Sequence, residues 1–379
     1  MRDKLKFRLK KLLDIHGISG QETLVRQYVK KEIKNKVDNV IIDDYGNLLA
    51  TKVFGEAKGN PVIMLNAHMD TVKATNRDKI VVEQNGVFRA YYHGKTTVLG
   101  ADDRAGIAIV LSILDNVPSS FEGTLKLSFT REEEIGCIGA SRIDKKFYDD
   151  VDLNITFDRR GNKDIVVGTW GAPFCSNVVG HTLENIAKRN NFDYRCVSGG
   201  ISDAYEFSYK GINSVNLSVG YENEHTSNEF LVYKDLNVAY EFGLAILGDI
   251  GLYDYEGFGE VPLRSNQWVE DYDYKSYGKS KTKANWDKFY ESEYEGHGYE
   301  EEDYGYSNGY YYEREYTPFV YEQNGKIIIS NNFDEVEIMA EHVDSLITQL
   351  KTMRDLSTYK KAIDLEDEKE YYKQEKEMM

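Results

Sequence analysis

Short apolar runs and amphipathic stretches alternate along the first two thirds of this chain. The runs at 62–67, 125–129, 153–157 and 214–219 have the length and apolar density of strands. Between them, 106–114, 177–188 and 235–247 carry Ile, Leu, Val and Ala at helical spacing. At the start of the chain, Leu5, Leu9, Leu12 and Leu13 lie on one face of an expected amphipathic helix. Charges run through that stretch and no small-residue cleavage site follows it, so it reads as a structural helix rather than a signal peptide. Alternating strands and helices predict an α/β domain over residues 1–250, with a mixed, mainly parallel central sheet and helices on both faces. In such sheets functional loops gather at the carboxyl ends of the strands.

The rhythm is lost after residue 250. Residues 251–323 hold 15 of the 29 tyrosines and 17 acidic against 7 basic residues, and aliphatic residues almost vanish. Too little apolar surface is available to offset the entropy of ordering, so a flexible, solvated segment is expected there. Residues 324–379 form a small C-terminal appendage in this reading. It has a strand at Lys326–Ser330 and then an amphipathic helix through Val336, Met339, Val343, Leu346, Leu350 and Met353.

Composition narrows the classes of function. A hydrophobic content of 41% supports a real core. The net charge of −17 argues against nucleic acid or an anionic membrane as the main partner, because both demand a basic footprint. No apolar run approaches the length of a membrane span. Three cysteines with no CxxC pair suggest a reducing, cytoplasmic compartment rather than a disulfide framework.

The candidate chemistry sits just after the expected strands. NAHMDTV supplies His68 and Asp70, GADDRAG supplies Asp102 and Asp103, TREEEIG supplies Glu132, Glu133 and Glu134, and FDRRG supplies Asp158. His225 follows the strand at 214–219, in YENEHTSNEF. Taken singly, each has an ordinary explanation as a loop histidine, a helix cap or a solvated acidic face. In a parallel sheet, however, all of these strand ends converge on one rim. Several carboxylates forced together without a cation would suffer large rises in pKa. Mixed imidazole and carboxylate donors suit zinc, cobalt or manganese better than calcium. Three ligand carboxylates and a bridging hydroxide would balance two divalent cations, with one carboxylate shared between them.

The ordered set HMD, GADDRAG, EEEIG, FDRRG and the late histidine resembles the co-catalytic di-zinc exopeptidase superfamily of aminopeptidases, tripeptidases and related carboxypeptidases. GISGQE, DDYGNLLA and SGGISDAYEF agree with it, and the resemblance spans residues 1–250. It implies that His68, Asp102 and Asp158 hold one zinc and that Asp102, Glu134 and His225 hold the other. Asp70 would orient His68, and Glu133 would be the general base acting on the bridging water. Gly199, Gly200 and Asp203 resemble a loop beside the substrate. Asp103 is expected to cap the helix or to pair with Arg104.

The intervals from His68 to Asp102 and from Asp158 to His225, 34 and 67 residues, leave no room for the extra domains of lidded relatives. A compact, lidless catalytic core is therefore expected. Arg159 and Arg160 are a departure; they either receive a substrate carboxylate or neutralise the local acid excess. Trp170 is a candidate for the pocket wall or for the core. The expected activity is that of a zinc-dependent aminopeptidase acting on short peptides. The alternatives are a carboxypeptidase, dipeptidase or N-acyl amino acid deacylase with the same metals, or a non-catalytic binding protein on this fold.

Overall fold

The computed structural model describes residues 3–55, 60–169, 172–253 and 255–262, and the backbone of three later strands. Trp170 and the segment from 340 onward lie outside the described residues, as does most of the tyrosine-rich stretch.

Two helices, α1 (Lys4–Asp14) and α2 (Thr23–Ile33), precede the sheet. The predicted face of α1 is the buried one, with Leu5, Leu9, Leu12 and Leu13 in the core. The strands that follow are β1 (Asn39–Ile42), β2 (Leu48–Phe54), β3 (Val62–His68), β4 (Ile80–Gln84), β5 (Val87–Tyr92) and β6 (Lys95–Thr97). Next come α3 (Ala101–Asp115), β7 (Gly123–Thr130), two short helices α4 (Ile138–Arg142) and α5 (Lys145–Tyr148), β8 (Leu153–Arg159), β9 (Asp164–Thr169) and β10 (Ala172–Pro173). The chain continues through α6 (Asn177–Arg189), β11 (Arg195–Ser198), α7 (Asp203–Tyr209), β12 (Ser214–Ser218), β13 (Tyr221–Glu222), β14 (Phe230–Val232) and α8 (Tyr233–Asp249).

Among the described residues the central sheet runs β1-β2-β7-β3-β8-β12-β9-β10, with β11 also paired to β9. Its middle, β7-β3-β8-β12, is parallel. The β1–β2, β2–β7, β12–β9 and β9–β10 pairs are antiparallel, so the sheet is mixed, as expected. Strand alternation divides the core. Ile63, Leu65 and Ala67 of β3 pack with α1, α2, α3, α6 and α8. Met64 faces the other way, toward Ala140, Ile143 and Phe207 on the side of α4, α5 and α7. Helix α3 is buried along its length and lies close against β8. A Cβ at Gly106 would stand 2.1 Å from the Phe157 carbonyl oxygen, so only glycine permits that approach.

The interval between His68 and Asp102 contributes β4, β5 and β6, which join β13 and β14 in a small second sheet. No larger domain is inserted there.

Two expectations about the later chain need correction. Residues 251–253 and 255–262 are not a solvated start to a linker. They form two 3₁₀ turns, with Phe258 buried, Ser176 Oγ donating to the Phe258 carbonyl and Asn213 Nδ2 donating to the Gly259 carbonyl at 2.9 Å. The apolar groups of Ile250, Tyr253, Tyr255 and Phe258 give this piece something to bury. Later in the chain, Phe319–Gln323 and Glu335–Met339 flank Lys326–Ser330 in an antiparallel sheet, so the predicted strand has two partners. Glu335–Met339 is thus a strand where the heptad-like spacing predicts the start of a helix. The local sequence EVEIM alternates polar and apolar, which is a period of two.

Candidate metal centre

The site begins with register. His68, the last residue of β3, lies opposite Thr130, the last residue of β7, so both strands release their loops at the same edge. Asp70 then ties those loops together. Its Oδ1 lies 3.3 Å from His68 Nδ1 and accepts the Glu133 N–H at 3.0 Å. Its Oδ2 accepts the Glu134 N–H at 3.2 Å and the Ser19 hydroxyl at 2.8 Å. One fully buried carboxylate therefore orients the His68 ring and the loop bearing two glutamates.

The first residues of α3 have non-helical dihedrals, and the Asp102–Asp103 peptide bond is cis. Asp103 points inward, accepting the Gly106 N–H at 2.8 Å and the His68 N–H at 3.1 Å. It caps the helix, one of the two roles expected for it, and Arg104 donates instead to the Met69 and Gly17 carbonyls. Asp102 turns into the cleft. Its Oδ1 is 2.9 Å from His68 Nε2 and its Oδ2 is 3.1 Å from His225 Nε2. Glu134 Oε2 lies 2.7 Å from that same His225 nitrogen, and Asp158 Oδ1 lies 3.5 Å from His68 Nε2. Asp158 is held by the Tyr221 hydroxyl at 2.9 Å, and its N–H donates to Asn216 Oδ1, also at 2.9 Å. Glu133 Oε2 stands back at 3.9 Å from His68 Nε2.

The electrostatics are those of a site short of positive charge. Burial raises the pKa of Glu133 well above the usual carboxylate range, and the charges of Asp158, Glu134 and Asp203 add to this. Burial and the Asp102 charge push Glu134 up to about 8 and Asp158 up to about 7. Burial opposes charge on the histidines, yet hydrogen bonds to Asp102 and Asp158 draw His68 well upward, and those to Asp102 and Glu134 raise His225 to about 11. Ligand-capable atoms of His68, Asp102 and Glu134 lie within 4.8 Å of one another, as do those of His68, Glu133 and Asp158. Glu134 Oε1 is buried with no hydrogen-bond partner. Two imidazoles, three close carboxylates and an orphaned carboxylate oxygen fit a pair of divalent cations.

The cleft encloses about 190 Å³, lined in part by Asp102, Glu133, Asp158, Arg159, Gly200 and His225. The loop assignment next to it divides. Gly200 lines the cleft, whereas Gly199 packs on Val166, where a Cβ would meet a methyl carbon at 2.7 Å. Asp203 is buried away from the cleft, accepting from Thr130 Oγ1 and, at 3.4 Å, from Asn66, with its pKa raised by burial to about 6. It supports the floor of the site because α7 carries it behind the strand ends. Both arginines have acidic partners. Arg159 Nε is 3.1 Å from Asp164, and Arg160 is 2.6 Å from Glu224.

Sequence reasoning passed over Asn216, Tyr221, Glu224 and Glu229. A signal exists for Asn216, a polar residue in the middle of a buried strand. Glu224 and Glu229 stand in the same motif as His225, which marks the segment, but the partners that give them roles are remote in the chain.

A mixed α/β sheet thus gathers histidines and carboxylates at its carboxyl edge in a group that could hold metal. The M42 glutamyl aminopeptidase family matches residues 76–242. Peptidase T of Geobacillus kaustophilus is 31% identical over 150 residues, covering 31% of this chain and 36% of that protein. A putative aminopeptidase of Acetivibrio thermocellus is 25% identical over 317 residues, covering 61% of this chain and 94% of that one. The chain thus spans about a third of the length of the Peptidase T sequences it matches. In fold, it is similar to the aminopeptidase PepT of Bacillus cereus, with TM-score 0.58, 19% identity and coverage of 66% of this chain and 99% of that one. An aminopeptidase of the archaeon Desulfurococcus kamchatkensis gives TM-score 0.56 at 19% identity, covering 67% of this chain and 96% of that one. The likeness in sequence to aminopeptidases thus lies within the sheet-bearing part of the chain, and the likeness to the solved structures is one of fold.

Proposed function

We propose that this protein is a metal-dependent aminopeptidase that removes amino-terminal residues from short peptides, using two divalent cations, zinc first among them. The observation that carries the reading is Asp102, one carboxylate that offers its two oxygens to two histidines from distant parts of the chain. His68, Asp102 and Asp158 would hold one cation, and Asp102, Glu134 and His225 the other. When bound there, the cations supply polarisation of the scissile carbonyl and a nucleophilic water at neutral pH.

The chain's own residues would do the rest. Glu133 would take the proton of the attacking water at a carboxylate oxygen and return it to the departing amine nitrogen. Its burial raises its pKa, the direction that a base working near neutrality needs. Asp70 would hold His68 through Nδ1 and leave Nε2 facing the cation. Glu224 lines the same cleft, and its Oε2 is buried without a hydrogen-bond partner. It would receive the free ammonium of the substrate, which favours an aminopeptidase over the other exopeptidases. Gly200 would let the peptide backbone approach, with Asp203 supporting that wall from behind and Gly199 fixing the loop on Val166. Arg159, steadied by Asp164, would meet an acidic side chain or the carboxyl end of a short peptide. Free cysteines, and the absence among the described residues of a helix long and apolar enough to cross a membrane, agree with action in the cytoplasm.

The test is Glu133→Gln. Metal content should stay at the wild-type level while kcat falls by about 10²–10⁴-fold; near-normal turnover would refute the role. A panel of aminoacyl anilides with free and acetylated amino ends accompanies it. Hydrolysis of the acetylated set alone would replace the aminopeptidase reading with that of a deacylase or carboxypeptidase.

A further inference from the structure

Glu229 lies four residues beyond His225 and is 1% exposed. Its carboxylate closes over the start of α3. Oε2 accepts the N–H groups of Leu99 at 2.8 Å and Gly100 at 2.9 Å. Oε1 accepts those of Ala101 at 2.7 Å and Asp102 at 3.3 Å. The first N–H groups of a helix have no partner within it, and a side chain just before the helix usually serves them. Here the backbone at Asp102 and Asp103 is non-helical, Asp103 serves the helix beyond it through the Gly106 N–H, and the N–H groups of residues 99–102 lie before that kink. They are bound instead by a residue 127 positions from Asp102.

This arrangement couples two segments that contribute to the centre. The loop bearing His225 holds, through Glu229, the backbone N–H of Asp102, and Asp102 Oδ2 faces His225 Nε2. A carboxylate that served folding alone could bind these N–H groups from anywhere. Here it comes from the segment whose histidine must meet the aspartate whose N–H it holds.

We infer that Glu229 is a positioning residue of the metal centre, setting Asp102 against His225 by binding the four consecutive N–H groups that lead into the aspartate. The inference rests on the metal reading above. Cation affinity should then depend on Glu229 although it touches no cation.

The experiment uses full-length protein stripped with chelator and titrated with Co²⁺ alone, followed by visible absorption and calorimetry. Glu229→Gln keeps the size and one carbonyl oxygen but turns an NH₂ toward N–H donors. It should weaken Co²⁺ binding by about 10–100-fold, the usual effect of losing a group that orients ligands, and alter the Co²⁺ spectrum. Ile186→Ala, in the buried face of α6, is the control. It should lower Tm and leave Co²⁺ affinity unchanged, so a general loss of stability is told apart from lost positioning. Should the Gln variant fail to fold, Glu229→Asp, with its charge on a shorter arm, enters the same comparison. Wild-type affinity and spectrum in the folded variant would overturn the inference, whatever happens to Tm. If the wild-type protein itself takes up no Co²⁺, the metal reading falls and this inference with it.

Discussion

Four donors meet on Asp70, and two of them are the backbone groups of Glu133 and Glu134. Replacing it with asparagine would turn one acceptor into a donor aimed at an N–H or at the ring of His68. Asp70→Asn is expected to weaken metal binding by about 10–100-fold, read by titrating the stripped protein; unchanged affinity would remove Asp70 from the centre. Glu224→Gln tests a different property. If Glu224 receives the substrate's ammonium, the variant should keep its metal and show a raised KM for free-amino substrates, with a smaller effect on kcat. A lost hydrogen bond to a charged group is worth about 1.5–3 kcal/mol, or roughly 10–150-fold in KM. At this scale the sequence was most legible where chemistry is written in short motifs. His68, Asp70, Asp102, Glu133, Glu134, Asp158 and His225 all lie in one cluster. Gly199 and Asp203 could not be sorted from Gly200 by sequence, since which face of a loop meets solvent depends on what packs behind it.

Among the elements, α3 shows how secondary structure becomes site geometry. Gly106 lets it lie against β8, and its frame carries Asp102 to the strand ends. Its far end is fastened by Asp115, which meets Arg8 of α1 at 2.8 Å and Lys36 at 2.7 Å. Burial opposes the Asp115 charge, but these cations prevail and hold its pKa below the ordinary 3.8. Because the folded pKa is the lower one, this contribution is full above about pH 4, near the unfolded value. It is lost as pH falls through the folded value. Asp115→Asn should cost about 1–3 kcal/mol at pH 7 and progressively less in acid. Denaturant melts at pH 7 and pH 3 check this, and an equal deficit at both would contradict it. Strands and helices of the first 250 residues were readable because apolar spacing directly reports burial in an α/β sheet. Glu335–Met339 was not, since its alternation lasts only five residues and Val336 and Met339 also fit the helical spacing of the sequence that follows, so only a neighbouring strand decides between them.

For the whole molecule, metal and stability should be linked. Any ligand that binds only the folded state stabilises it, by about 2.7 kcal/mol at one hundred times Kd. Calorimetric melts should therefore show a lower Tm after chelation and recovery on adding Zn²⁺ or Co²⁺, and identical melts would count against a folded-state cation site. Two features of this chain follow from order along the sequence alone. They are the alternation that builds a mixed α/β sheet and the set of metal-competent side chains placed after its strands. Local periodicity and residue type are enough for both, because each depends on neighbours within a few positions. Tertiary structure decided the rest. It brought β3 and β7 into register, split the oxygens of Asp102 between two histidines, and set Glu229 over the start of α3. It also buried Ile250 and Phe258 against the main core. These are contacts between groups tens to more than a hundred residues apart, which no spacing rule can read before the chain has closed on itself.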